Sequence, residues 1–118
     1  MQSWAEQDFC YLTTTGRRTG QPHTIEIWFG SEGGSKIFLL SGGRDRSDWV
    51  KNLRADPSVH IRIGDREWNG KARLVEDQDE ESLVRRLLAS KYQGWREGRR
   101  MTGWATTALP VAIDLEEP

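Results

Sequence analysis

Apolar positions along the chain fall into short alternating runs separated by glycine-containing turns, with two stretches where the period lengthens to that of a helix. Residues 9–15 combine aromatic side chains with a threonine run and predict a first strand, because such side chains fit a pleated surface. Residues 16–22 form a turn whose two glycines can take positive φ, with Arg17 and Arg18 at its tip. Over 23–30, Ile25, Ile27 and Phe29 alternate with Thr24, Glu26 and Trp28, which predicts a strand with one apolar and one mixed face. Residues 31–35 read as a hairpin turn into a third strand over 36–41, giving a three-stranded meander.

The period then changes. Residues from Ser47 up to Pro57 carry Trp49, Val50 and Leu53 on one side and Ser47, Lys51 and Arg54 on the other, which predicts a short helix capped by Ser47 or Asp45. Residues 58–64 alternate Val59, Ile61 and Ile63 with His60 and Arg62. Residues 66–76 place Trp68, Gly70, Ala72 and Leu74 opposite Asn69, Lys71, Arg73 and Val75, and Gly70 in mid-strand predicts a bulge or bend. A second helix is expected over 77–92, opened by acidic residues and carrying Leu83, Leu87 and Leu88 at helical spacing. Residues 93–109, rich in Gly, Arg and Trp, show no clean period and read as a loop or irregular helical turn that covers a pocket or packs Trp95 and Trp104 over an open end of the sheet. A last strand follows at 110–115. About six strands joined mostly by hairpins, with two helices, predict a mainly β (α+β) fold in the form of a small antiparallel barrel.

Composition narrows the picture. A chain of 118 residues fits a single domain over 1–118. Its 17 basic and 18 acidic residues leave a net charge of -1, so no general attraction to nucleic acid or membrane is expected. Cys10 is the sole cysteine, which leaves no internal disulfide and fits a reducing, cytoplasmic setting. No apolar run has the length of a membrane span, and residues 1–8 lack the pattern of a signal peptide. His23 and His60 have no further ligand at metal-binding spacing, so no metal site is expected.

No nucleophile elbow, phosphate loop or metal motif is present. The chain instead has two basic, glycine-containing turns, 16–20 and 42–46, each at the end of a strand. Arg44 and Arg46 precede the first helix, where the macrodipole favours negative charge. Either Asp45 and Asp48 offset them locally, or an anion such as a phosphate binds at the helix start. Paired turns of this kind suit a ligand with an anionic tail and a flat head, and a redox-active ligand would itself carry the chemistry. Trp28 beside Glu26 fits a core edge, a subunit interface or contact with a planar ligand. Solvent can supply a proton, and Tyr11, Tyr92 and His60 are the side chains that could do so instead.

The motif Leu-Thr-Thr-Thr-Gly-Arg-Arg-Thr-Gly-Gln-Pro at 12–22, the later Trp-Phe-Gly and Leu-Leu-Ser-Gly-Gly, and Asp-Trp-Val-Lys-Asn-Leu-Arg-Ala-Asp-Pro-Ser-Val at 48–59 resemble the deazaflavin-dependent nitroreductase family. Members are split β-barrel oxidoreductases related to pyridoxamine phosphate oxidases. The resemblance covers 9–74 well and the remainder in outline. It implies binding of coenzyme F420 and hydride transfer from its reduced form to a small organic acceptor, such as a quinone, nitro compound or enone. It further implies that Arg17, Arg18, Thr19 and Gly20 meet the cofactor tail, and that Ser41, Gly42, Gly43, Arg46, Trp49, Lys51 and Asn52 line the phosphate and ring region. Trp28 is placed against the ring system by strand alternation, and Glu26 stands where the family leads us to expect a small or apolar residue, often proline.

Other ligands satisfy the same cations. Flavin mononucleotide (FMN) is the first competitor, haem or a bilin a third, and binding of F420 without turnover a further reading. A nucleic-acid binding module using Arg17, Arg18, Arg44 and Arg46 is opposed by the neutral net charge and by the interleaved Asp45 and Asp48. A symmetric homodimer is expected, since split barrels often bury a second face against a copy of themselves.

Overall fold

The computed structural model describes residues 3–116. Six strands, β1 (Cys10–Thr15), β2 (Pro22–Ile27), β3 (Lys36–Ser41), β4 (Ser58–Ile63), β5 (Arg66–Leu74) and β6 (Leu109–Leu115), form one antiparallel sheet in the order β2-β1-β4-β5-β6-β3. Helix α1 (Asp48–Ala55) follows β3, α2 (Gln78–Gln93) follows β5, and a short α3 (Gly103–Thr107) precedes β6. Single 3-10 turns occur at Trp4–Glu6 and Arg44–Arg46. The expected antiparallel barrel is therefore present, with a third helical turn inside the segment that showed no period.

The sheet curls until its two edges almost meet. Past the end of β2, Gly30 exchanges both backbone hydrogen bonds with Phe38 of β3, at 2.9 and 2.8 Å, and this single bridge is where the barrel closes. The expected meander of the first three strands is thus not formed. β3 pairs along its whole length with β6, from Lys36 opposite Asp114 to Ser41 opposite Leu109. Burial explains the choice: Ile37, Phe38, Leu39 and Leu40 are all buried, whereas β2 is largely exposed and could not cover such a strand.

β3 is apolar on both faces because two cores flank it. Ile37 and Leu39 point into the barrel with Leu12, Ile61, Ile63, Val111 and Ile113, while Phe38 and Leu40 lie under α2 with Val84, Leu88 and Ala112. Fully burying one such side chain stabilises by about 1.5–3 kcal/mol relative to leaving it in water, so α2 is held by its Val84 and Leu88 stripe. Asp77 caps α2 by accepting from the amide of Glu80 at 2.8 Å, and Gly94, at φ 65, ends it in the left-handed conformation.

Gly70 has a different role from the expected bulge. The β4–β5 register runs through it without interruption, and the β5–β6 register begins at it, opposite Leu115. A Cβ there would stand 2.7 Å from Ile113 Cγ2 and 2.9 Å from the Asp114 carbonyl oxygen, so the absent side chain permits close approach of β6.

Candidate functional site

The β1–β2 turn docks on the start of α1. Gly16 N–H donates to Gln21 O at 2.7 Å and Gly20 N–H to Gly16 O at 2.8 Å, which folds the turn tightly. A Cβ on Gly16 would lie 2.6 Å from Nε2 of His23, the second residue of β2, so the glycine lets that exposed imidazole lie over the turn. Asn52, buried in α1, reaches across: its Oδ1 accepts from Arg17 N–H at 3.2 Å and from Arg17 Nη1 at 2.8 Å, and its Nδ2 donates to Thr14 Oγ1 at 3.2 Å. Arg17 also pairs with Asp48 at 3.3 Å.

These contacts decide which cations have partners. Asp48, at the positive end of α1, neutralises Arg17 from the neighbouring turn, and neither arginine of residues 44–46. Arg44 turns away and its Nη1 donates to Thr107 O at the end of α3. Its backbone lies in the left-handed region at φ 55, held there by Ser41 Oγ donating to Arg44 O at 2.9 Å. Ser41 also shares a hydrogen bond with Ser47 Oγ at 2.8 Å, so Ser47 occupies the capping position of α1 without a side-chain cap bond. A Cβ on Gly43 would meet Ser47 Oγ at 2.6 Å, which ties that glycine to the same contact. The side chains of Arg18, Arg46 and Lys51 have no hydrogen bond or ion pair among the described residues.

Beside this docked turn lies a cleft of about 460 Å³ lined by Arg17, Arg18, Thr19, His23, Ile25 and Trp49. Further along β2 a second cleft, of about 370 Å³, is lined by Phe9, Glu26, Trp28, Leu40, Gln93 and Trp104. Residues 23–25 of β2 line the first and residues 26–28 the second, so the two follow one another along the open edge of the sheet, with α1 and the end of β3 opposite. Trp28 stacks on Tyr92 with ring centroids 4.3 Å apart and planes at 2°, and meets Trp104 edge-on at 5.5 Å. Arg85 of α2 donates to Ala105 O and Ala108 O, at 2.9 and 3.0 Å, and so fixes α3 and with it Trp104.

The residues expected to meet a ligand divide accordingly. Arg17, Arg18, Thr19, Trp49 and Asn52 come together in the basic cleft, Asn52 as the buried anchor beneath it. Trp28 stands in the aromatic one. Gly20, at φ 75, shapes the turn. Ser41, Gly42, Gly43, Arg46 and Lys51 line neither cleft; Gly42 approaches Trp104, a Cβ there falling 3.5 Å from the ring, and Ser41 and Gly43 set the bend into α1. Phe9, His23, Gln93 and Trp104 were missed as lining residues. For Phe9 the signal was present, because it faces Trp28 when the β1–β2 register is extended by one pair.

Of the possible proton donors, Tyr92 has its hydroxyl closed off. It accepts from Phe29 N–H at 3.0 Å and lies 2.9 Å from the carbonyl oxygens of Asp8 and Phe29, and burial pushes its phenol up to about 12. Tyr11 and His60 lie on the outer face of β1 and β4, Tyr11 under the Arg62 guanidinium at 4.2 Å and His60 against Glu67 at 3.0 Å. Neither lines the groove.

Residues 1–116 match the family described as F420H(2)-dependent quinone reductase. The chain belongs to this family. It is 35% identical over 92 residues to the F420H(2)-dependent quinone reductase Rv1261c of Mycobacterium tuberculosis, an alignment covering 72% of this chain and 62% of that protein. The chain therefore spans less than two thirds of the length of the curated reductases it matches. Among solved structures it resembles an F420-H2 dependent reductase (TM-score 0.67, 22% identity, 91% of this chain and 94% of that one) and a domain-swapped dimer (TM-score 0.68, 24% identity, 92% and 80%). At those identities the likeness shows the fold alone.

Proposed function

We propose that this protein is an F420-dependent oxidoreductase that reduces a small organic acceptor such as a quinone. The observation that carries the reading is the order of the two clefts along the β2 edge, basic at Arg17–Arg18 and aromatic at Trp28–Trp104, which matches a cofactor with an anionic tail and a flat head. The backbone amides of Arg18 and Thr19 have no partner among the described residues, and with the free guanidinium of Arg18 they supply donors for an anionic group. Gly20 and Arg17 hold that turn in place, and Trp49 and Ile25 give the apolar wall beside it. Reduced deazaflavin supplies a hydride when bound. The side chains around the groove bind, orient and exclude water; of the candidate donors Tyr92 is closed off and Tyr11 and His60 line neither cleft, so we assign the proton a quinone requires to solvent.

The test is direct. F420 and FMN are titrated separately into the purified protein while their own fluorescence is followed, and oxidation of reduced F420 by menadione is then measured. F420 quenched at low micromolar concentration with FMN unaffected, together with turnover, is the expected result. FMN binding alone would replace the reading by a flavin enzyme, and F420 binding without turnover would make the protein a carrier. The outer face of β1, β4 and β5 carries no helix, and we place the contact of a symmetric homodimer there; sedimentation showing only monomer at micromolar concentration would remove it.

A further inference from the structure

We propose that His23 is a cofactor-binding residue at the basic end of the groove, where its protonated imidazole meets the anionic tail and makes binding tighten as pH falls. The inference rests on the F420 reading above for the identity of the ligand, and on the cleft alone for the role of the imidazole.

His23 stands opposite Thr14 in the β1–β2 register, so the two side chains leave the sheet on the same face. Thr14 identifies that face: it is buried, and its hydroxyl accepts from Asn52 of α1 at 3.2 Å. His23 is thereby directed toward α1 and the basic turn. Its ring lies over Gly16, where a Cβ would stand 2.6 Å from Nε2 and 2.8 Å from Cδ2, so the glycine leaves the space that the imidazole fills. The ring is exposed and makes no hydrogen bond or ion pair among the described residues. The charged groups lining the same cleft are Arg17 and Arg18 from the turn and Asp48 from α1; β1 contributes only hydroxyls. Asp48 is paired with Arg17 at 3.3 Å, so the carboxylate of the cleft is already engaged. An anionic group held by the free amides of Arg18 and Thr19 therefore shares the cleft with an imidazole that has no other partner.

The consequence is a linkage between proton and ligand. Imidazole is the side chain that changes charge between about pH 5 and pH 8. Neutral, it offers the cleft one donor; protonated, it adds a full positive charge to the cations already there. A bound anion stabilises the protonated ring, and by reciprocity the protonated ring strengthens anion binding. The carboxylates of an F420 tail stay ionised above about pH 5, so they do not cancel the effect. His60, the other histidine of the chain, pairs with Glu67 on the outer face and lines neither groove cleft, which leaves His23 as the histidine able to act on the ligand.

Binding is read from the quenching of F420 fluorescence at about pH 5.5 and about pH 8, at fixed low ionic strength, for the full chain as wild type, His23→Gln, His23→Lys and His60→Gln. Thermal melting of each variant checks the fold. The ring hydroxyl of the deazaflavin also titrates; it is common to all four proteins, so the ratio of variant to wild type isolates the side chain. At the lower pH the wild type should bind about fivefold tighter than His23→Gln, and at the higher pH the two should agree within about twofold, the effect of one charge near the protein surface. His23→Lys should keep the tighter binding at both, and His60→Gln should follow the wild type. The same wild-type to His23→Gln ratio at the two pH values, or loss of the dependence in His60→Gln instead, overturns the proposal. Binding of F420 with no difference at His23 retains the F420 reading and removes this one. If FMN binds and F420 does not, the F420 reading fails and the same comparison on FMN decides the role of His23; binding of neither overturns both.

Discussion

Replacing Asn52 by Ala removes the link between α1 and the basic turn, and the structure allows the cost to be worked through. Three hydrogen bonds are lost, two from the backbone and guanidinium of Arg17 and one to the buried Thr14 hydroxyl. Neutral hydrogen bonds contribute about 1 kcal/mol each and those to charged groups about 1.5–3 kcal/mol. The Arg17 side chain is 25% exposed and still holds Asp48, so its share lies at the lower end. The expected loss is about 3–4 kcal/mol, which at roughly 4 °C per kcal/mol for a chain of this size lowers Tm by roughly 12–16 °C. Urea denaturation of wild type, Asn52→Ala, Arg17→Ala and the double variant would give a coupling energy of about 1 kcal/mol or more between the two residues. F420 affinity should fall alongside, because the turn loses its dock. Additive single losses, or an Asn52→Ala variant within 0.5 kcal/mol of wild type, the range of roughly neutral surface changes, would refute this account of the turn.

Other changes have equally definite outcomes. Arg73 joins Glu80 of α2 to Asp114 of β6 at 2.6 and 2.7 Å, and its hydrogen bonds hold both carboxyls below their ordinary range. A depressed carboxyl pKa stabilises fully above the unfolded value near 4 and is lost as pH falls through the folded one, so Arg73→Met should cost about 1 kcal/mol at pH 7 and nothing resolvable near pH 2, read by urea midpoints. Gly43→Ala pushes on Ser47 Oγ and should cost about 1–2 kcal/mol by breaking the Ser41–Ser47 hydrogen bond, with Gly43→Ala/Ser47→Ala recovering part of the loss. Arg44→Ala keeps the positive φ and loses the bond to Thr107 O, whereas Arg44→Gly loses the same bond but relieves about 1 kcal/mol of strain, so the glycine variant should be the more stable in thermal melts.

Period-two alternation made the strands legible, and the acidic start of α2 and Pro57 after α1 marked helix boundaries to within a residue or two. Pairing was not legible. Nothing local to residues 28–35 reveals that β3 leaves β2 for β6, although four consecutive apolar residues at 37–40 were the signature of burial on both faces. The burial of Asn52 could have been read from its own helix: it follows Trp49 by three and precedes Leu53 by one, which sets it on the apolar side. The destination of Arg44 could not, because its partner Thr107 lies 63 residues away on a helix that has no period of its own. The same separation hid the contact of Trp28 with Tyr92 and Trp104.

An open sheet edge invites pairing with other chains, and β2 is such an edge. Pro22 at its start and Glu26 in its middle oppose strand addition, while the Gly30–Phe38 bridge closes the far end. The groove is the part of the edge left over. Its aromatic wall is stiffened from behind: the Tyr92 hydroxyl is fixed to the Phe29 backbone, the stack with Trp28 adds about 0.5–1.5 kcal/mol, and Trp104 rides on a helix whose last carbonyls are taken by Arg44 and Arg85. Arg44 belongs to the turn that leads into α1, against which the basic end of the groove is built. One arginine thereby connects the bend behind the basic end to the helix that carries the aromatic end, so the spacing between the two halves is set by the fold itself, which is the preorganisation that the proposed two-part cofactor would require.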